Sequence, residues 1–319
     1  LACGNTVVLK ASEMCPATHR LIGTALVEAG LGEGVVNVVT HAPGEAQEIV
    51  QALIAHPAVR RVNFTGSTRV GKIIAKLAAE HLKPALLELG GKAPLLVLED
   101  ADLDEATNAI VFGGFMNQGQ ICMSTERVLV HEAVADALAE KIAARVKALP
   151  WGDPTGHVVL GSLVSTAAAE HCESLARDAA TRGAKILAGG ERKGSVMAGL
   201  VVDKVTPDMR LFVEESFGPV VALTRAADAQ ALVKLANSSE YGLSASVFTR
   251  DVSRGINIAK QLESGICHIN GPTVHDEAHM PFGGVKGSGY GRFGGKAGIA
   301  EFTELRWITV QTTPRKYPF

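Results

Sequence analysis

The segment Asn117-Gln118-Gly119-Gln120-Ile121-Cys122-Met123-Ser124 carries the first side chain that could form a covalent intermediate. It is polar, contains a glycine, and lies between a predicted helix ending near Phe115 and a predicted strand from Arg127. A turn there would present the Cys122 sulfur to a cleft and leave its N–H free, as a thiol nucleophile with an oxyanion site requires. The competing reading is a small buried apolar side chain, the ordinary fate of a cysteine under reducing conditions. Cys3 and Cys15 have no comparable setting, Cys172 falls mid-helix, and Cys267 alternates within a strand. The cysteines number five, are widely spread and include no Cys-x-x-Cys pair, which argues against a disulfide framework or a thiolate zinc site.

A second chemical group stands in Leu86-Leu87-Glu88-Leu89-Gly90-Gly91, where a carboxylate ends an apolar strand. Burying an unpaired carboxylate is costly, so Glu88 either has a partner, acts as a base with a raised pKa, or escapes to solvent at the strand end. A nucleophile at Cys122 and a base at Glu88 would together suit covalent acyl chemistry with water as the second nucleophile. A third segment, Val62-Asn63-Phe64-Thr65-Gly66-Ser67-Thr68, leads from a strand through a turn into a helix. It either presents a helix N-terminus to a phosphate or simply caps that helix with Ser67 or Thr68. No G-x-G-x-x-G follows a strand, so the ordinary dinucleotide fingerprint is absent from these residues. His275-Asp276-Glu277-Ala278-His279 has two histidines four apart, but Asp276 follows the first, and Pro272 and Pro281 bracket a loop, so no metal is expected.

The elements that must position these groups alternate between strand and helix patterns, which predicts an α/β fold with mainly parallel sheets. Expected strands are Thr6–Lys10, Val35–Thr40, Val59–Thr65, Ala85–Leu89, Pro94–Leu98, Arg127–His131, Val220–Thr224, Ser244–Thr249, Gly265–Asn270 and Arg306–Gln311. Val70, Ile73, Ile74 and Leu77 make one apolar helix stripe, and Val134, Leu138, Ile142 and Val146 another. Asp102 reads as an N-cap, and Gly183 and Gly265 read as the glycines just past two helices, Thr166–Arg182 and Val252–Ser264. Eight glycines between Pro281 and Gly298 predict loop or close-packed backbone.

With 319 residues, 47% of them hydrophobic, the chain has room for two domains, and a boundary is expected at Leu89-Gly90-Gly91. The net charge of −2 gives no field to concentrate nucleic acid or an anionic membrane. No apolar run approaches the roughly 18 residues of a membrane span, and Leu1–Val8 lacks the features of a signal peptide. The expectation is a soluble, cytoplasmic protein with neither nucleic-acid nor membrane partners.

Taken together, these motifs resemble the NAD(P)-dependent aldehyde dehydrogenase family. The resemblance runs through Gly4–Glu13, Phe64–Thr68, Leu87–Lys92, Asn117–Cys122, Glu214–Val220 and Pro281–Gly289, in the family's order. Ile121–Val128 and His268–Glu277 look most like the bacterial benzaldehyde-type branch, which includes the salicylaldehyde and vanillin enzymes. The resemblance implies a partial Rossmann-type cofactor domain over 1–89, an α/β catalytic domain over 90–290, and a C-terminal segment, 291–319, with an oligomerisation strand that makes a homodimer or homotetramer.

It further implies that Cys122 adds to the aldehyde and that Glu88 activates water against the resulting thioester. Lys10 and Glu13 would bind the adenine-ribose hydroxyls, Gly66 and Ser67 the pyrophosphate, Glu215 the nicotinamide ribose, with Phe217 and Leu89 beside it. Met116, Ile121, Met123 and Phe282 would line the substrate site, and their apolar character suits an aromatic aldehyde. Glu13 would repel a 2′-phosphate, which favours NAD, while Lys10 leaves NADP open. Ala11 stands where the family commonly has proline. Because the chain starts at Leu1, inside the expected cofactor domain, the upstream asparagine of the family's oxyanion hole is expected to lie in a missing N-terminal part. Two other readings stay in view: a CoA-acylating enzyme, and a truncated chain with only an assembly role.

Overall fold

The computed structural model describes all residues, Leu1–Phe319. The first part of the chain alternates strand and helix: β1 (Val7–Lys10), α1 (Pro16–Glu28), β2 (Val36–Val39), α2 (Ala46–Ala55), β3 (Val62–Thr65), α3 (Thr68–Glu80) and β4 (Ala85–Glu88). Strands β1 and β2 pair in parallel as a sheet of their own, and β3 pairs in parallel with β4 in another. Behind the latter, Ile54, Ile74, Leu87 and Leu89 form a small core. Of the expected α3 stripe Ile74 is buried, whereas Ile73 is exposed.

The chain then passes through Gly90 and Gly91 into a larger sheet. Its elements are β5 (Ala93–Val97), α4 (Leu103–Phe115), β6 (Thr125–His131), α5 (Glu132–Lys147), α6 (Thr166–Thr181) and β7 (Lys185–Ala188). A hairpin of β8 (Arg192–Lys193) and β9 (Val196–Met197) leads to β10 (Leu200–Asp203), α7 (Arg210–Val213), β11 (Val220–Ala226) and α8 (Ala229–Asn237). After β12 (Tyr241–Gly242) come β13 (Ser244–Phe248), α9 (Val252–Ala259) and β14 (Ile266–Ile269). The seven-stranded order is β14-β13-β5-β6-β11-β10-β7, parallel except for the β7 edge.

Strand β5 shows why this sheet needs helices on both sides. Leu95 and Val97 join a core with α4 and α5, while Leu96 joins a second core with α6, α8 and α9. Successive side chains point to opposite faces, so an uninterrupted apolar run must be covered twice. The α5 stripe buries Leu138, Ile142 and Val146 against that first face. Asp102 caps α4 by accepting the N–H groups of Asp104 and Glu105 at 3.0 and 3.1 Å. Gly183, with φ of 100°, follows α6 as expected.

Near the end, β15 (Val285–Lys286) pairs with β12, β16 (Gly289–Tyr290) pairs antiparallel with β4, and α10 (Gly295–Glu301) follows. The glycine-rich stretch therefore stitches the two parts of the chain together, and its last turn is helical rather than loop.

Two expectations are corrected. Helix α9 stops at Ala259, so Gly265 is not its terminating residue; a β-carbon there would lie 1.8 Å from the Gly283 carbonyl oxygen, a close approach only glycine permits. Arg306–Gln311 forms no strand and pairs with no strand of the chain, and Trp307 and Ile308 are exposed. A strand without a partner has no ladder to hold it. No helix is long and apolar enough to cross a membrane.

Candidate active site

Helix α4 ends at Phe115 in a short 3₁₀ turn, Met116–Gly119, where Asn117, Gln118 and Gly119 take φ values of 49°, 56° and 68°. This left-handed run redirects the chain before β6. Gly119 is required there twice over, since its conformation is left-handed and a β-carbon would lie 2.1 Å from the Gly218 carbonyl oxygen. Ser124 closes the following turn, donating its N–H to the Ile121 carbonyl at 2.9 Å and its hydroxyl to that of Gly119 at 3.0 Å.

Cys122 sits on this turn, half-buried. Burial pushes its thiol up to about 11, and the nearby carboxylates of Glu88 and Glu215 add to the effect. The N–H groups of Cys122 and Met123 face the sulfur and pull the other way.

Glu88 closes β4, where Thr65 is its parallel neighbour and Gly289 its antiparallel one. The residue is 5% exposed, and neither carboxylate oxygen has a hydrogen-bond partner within the chain. Burial raises its pKa to about 7; Arg292 opposes that rise and Asp276 reinforces it. Glu88 thus neither reaches solvent nor finds a hydrogen-bond partner within the chain. A carboxyl balanced between its two forms near neutrality has the property a general base needs.

Glu215 arrives from a loop that precedes β11. Its carboxylate accepts the Gly91 N–H at 2.7 Å, and burial raises its pKa to about 7. Phe217, two residues on, is 41% exposed and has φ of 44°. Gly91 thus meets Glu215 through its N–H and Cys122 through its α-carbon, where a β-carbon would lie 2.2 Å from the Cys122 carbonyl oxygen.

The structure therefore draws Glu88, Cys122 and Glu215 into one site. Leu89 lies over Gly71 of α3, where a β-carbon would meet its side chain at 2.5 Å. Ser67 caps α3, accepting the Val70 N–H at 3.4 Å, with Gly66 just before it. Lys10, the last residue of β1, pairs with Glu13 just beyond it at 3.3 Å. Around the nucleophile, Ile121 and Phe282 are half-buried, Met123 is buried and Met116 is exposed. His275 and His279 lie outside any helix, each 3.6 Å from Glu277, and His275 meets His268 edge-to-face at 5.1 Å.

Sequence reasoning missed the charged layer beneath the site. Lys92 and Glu126, both buried, form an ion pair, and Lys92 Nζ also donates to Ser216 Oγ at 3.1 Å. Arg127, 1% exposed, donates to the carbonyls of Lys92, Leu235 and Ala236 at 2.9, 3.0 and 3.0 Å, the last two at the end of α8. Its guanidinium lies 5.1 Å from the Phe212 ring centroid, and burial lowers its pKa to about 10. The available signal was Thr125-Glu126-Arg127, two charges opening a strand whose remainder is apolar; inside a central strand such charges must find partners.

Comparison with known proteins follows the same lines. Residues 1–308 match the aldehyde dehydrogenase family. A vanillin dehydrogenase of Pseudomonas fluorescens is 60% identical over all of this chain and 66% of its own length. A salicylaldehyde dehydrogenase of Pseudomonas sp. strain C18 is 50% identical, again over the whole chain and 66% of its own length. Among solved structures, that of a salicylaldehyde dehydrogenase from Pseudomonas putida G7 complexed with salicylaldehyde superposes with a TM-score of 0.97 at 49% identity. The superposition covers 99% of this chain and 66% of that one. The chain thus spans about two-thirds of the length of the curated relatives it matches.

Proposed function

Because the chain belongs to the aldehyde dehydrogenase family, we propose that it contributes the catalytic machinery for oxidising an aromatic aldehyde to its carboxylate with NAD(P)+. The observation that carries this reading is the buried, partnerless carboxylate of Glu88, poised near neutrality in the same site as Cys122. Similarity to enzymes acting on vanillin and salicylaldehyde supports a benzaldehyde-type substrate.

In this mechanism the Cys122 thiol gives its proton to water and the sulfur adds to the aldehyde carbonyl carbon, giving a thiohemiacetal whose oxyanion faces the Cys122 N–H. The nicotinamide, when bound, supplies the hydride acceptor and a positive ring charge. Loss of hydride from the adduct carbon leaves a thioester on Cys122. Glu88 then takes a proton from water, the water oxygen attacks the thioester, and the carboxylate leaves as Cys122 regains its proton.

The chain's residues fit a dinucleotide at several points. Ser67 opens a helix of 13 residues, whose N-terminus suits the pyrophosphate next to Gly66. Lys10 and Glu13 would meet the adenine-ribose hydroxyls, and Glu215 the nicotinamide ribose, with Phe217 and Leu89 flanking the ring. The Glu13 carboxylate favours NAD, and its ion pair with Lys10 leaves room for NADP. Met116, Ile121, Met123 and Phe282 would form the aldehyde's apolar wall. The domain division at Leu89–Gly91, a cytoplasmic location, and a homodimer or homotetramer built through the extended segment after Glu301 belong to the same reading.

The test is NADH formation from benzaldehyde, vanillin and salicylaldehyde by the full gene product, compared with Cys122→Ala. Turnover lost in the variant, with free carboxylate as product, is expected. Turnover independent of Cys122, or acyl-CoA as the product when CoA is supplied, overturns the hydrolytic reading.

A further inference from the structure

We infer that Glu126 is a positioning residue for cofactor binding, its buried carboxylate fixing the loop that presents Glu215 and Phe217. The inference rests on the reading above in which those two side chains hold the nicotinamide end.

Glu126 stands on β6, 3% exposed, four residues after the nucleophile. Its carboxylate accepts the Ser216 N–H at 2.8 and 3.1 Å and the Phe217 N–H at 3.1 Å, and it also pairs with Lys92. Two successive N–H groups converging on one anion are the pattern of a backbone nest, a concavity that binds negative charge. Here the anion is a side chain of the same protein.

The nest requires an unusual backbone. Phe217 has φ of 44°, a left-handed conformation that is strained for a bulky residue and persists only where its surroundings hold it. Glu126 supplies that hold from the sheet side. From the opposite side α6 holds the carbonyls, with His171 Nε2 at 3.1 Å from the Glu215 oxygen and Cys172 Sγ donating to that of Ser216 at 3.4 Å. The loop's N–H groups at 216 and 217 find their acceptors in Glu126 alone.

The pair Lys92–Glu126 also explains why a charge is tolerated at such depth. Each partner compensates the other, and Ser216 takes one further bond from the ammonium. An apolar residue at 126 would leave two amides without acceptors and the Lys92 ammonium without its counter-charge, held by Ser216 Oγ alone.

The experiment compares Glu126→Gln with wild type in the full gene product. Should an uncompensated Lys92 prevent folding, the double variant Lys92→Met with Glu126→Gln removes both charges and keeps an acceptor oxygen. The expected result is a KM for NAD+ raised about tenfold or more, with hydrolysis of p-nitrophenyl acetate at Cys122, which needs no cofactor, held within about threefold. Amide hydrogen exchange should quicken in residues 214–218 and stay unchanged in β5. A KM for NAD+ within about twofold of wild type in a folded variant, or ester hydrolysis falling in parallel, overturns the role of Glu126. Wild-type protein that forms no NADH through Cys122 overturns the dehydrogenase reading and this inference with it.

Discussion

Gly91 lies so close to Cys122 that a β-carbon on it would come within 2.2 Å of the Cys122 carbonyl oxygen. The same residue donates its N–H to Glu215 at 2.7 Å, so the passage between the two sheets touches both the nucleophile and the loop expected to hold the cofactor.

Gly91→Ala must therefore push the Cys122 turn away. Displacing a reacting atom by about 1 Å can cost about 10²-fold in rate. The expected outcome is a fall in kcat of that order with near-native circular dichroism. A variant with normal kcat would show that the turn has room to move.

Glu88→Gln removes the base while leaving the thiol. A stoichiometric burst of NADH followed by very slow turnover is expected, since the thioester would form and persist. In wild type, the hydrolytic step should gain rate as pH rises through about 7, where burial places the Glu88 carboxyl. A pH-independent steady-state rate between about 5 and 9 would count against Glu88 as the base.

The same burial has a stability consequence of definite sign. The folded-state pKa of Glu88 is raised from 4.5 to about 7, so the unfolded chain loses this proton first and stability falls as pH climbs through that window. Glu88→Gln should match wild type below the lower value and exceed it above the higher one, by up to about 2–3 kcal/mol in urea titrations. A variant less stable than wild type at pH 8 would refute this.

Thiol reactivity offers an independent check. With burial and two carboxylates holding Cys122 up to about 11, iodoacetamide should alkylate it slowly at neutral pH, the rate still climbing beyond pH 9. A plateau near neutrality, read by mass spectrometry of the modified peptide, would contradict the electrostatics described.

Arg127→Met should destabilise by about 3–5 kcal/mol. It strips donors from three carbonyls, two of them ending α8. The urea midpoint reads the loss, and a change under about 1 kcal/mol would mean that water replaces the guanidinium.

The sequence by itself determined the residue types available for chemistry and the local structure that carries them. A cysteine on a polar, glycine-bearing turn and a glutamate ending an apolar strand are local facts, because turn formation and strand burial follow from neighbouring residue types. The positions of β1 to β6, β11, β13 and β14, the Asp102 cap and the glycine after α6 were legible for the same reason, whereas β7 and β10 were not among the expected strands. Where the local pattern failed, a distant partner decided. Gly265 packs against Gly283, and Arg306–Gln311 has the composition of a strand but pairs with no strand of the chain.

Only the tertiary structure decided that β5, β6 and β11 are neighbours, which places Gly91 and Lys92, Cys122 and Glu126, and Glu215 to Phe217 at the amino ends of adjacent strands. Side-chain types are written in the chain, but strand order is a property of packing between segments far apart in sequence. The resemblance to a family supplied Glu215 and Phe217 as candidates, whereas their support by Glu126 and Lys92 is visible only once the strands lie side by side. The pKa of Glu88 is likewise a tertiary property, since it depends on what surrounds a carboxylate rather than on its being one.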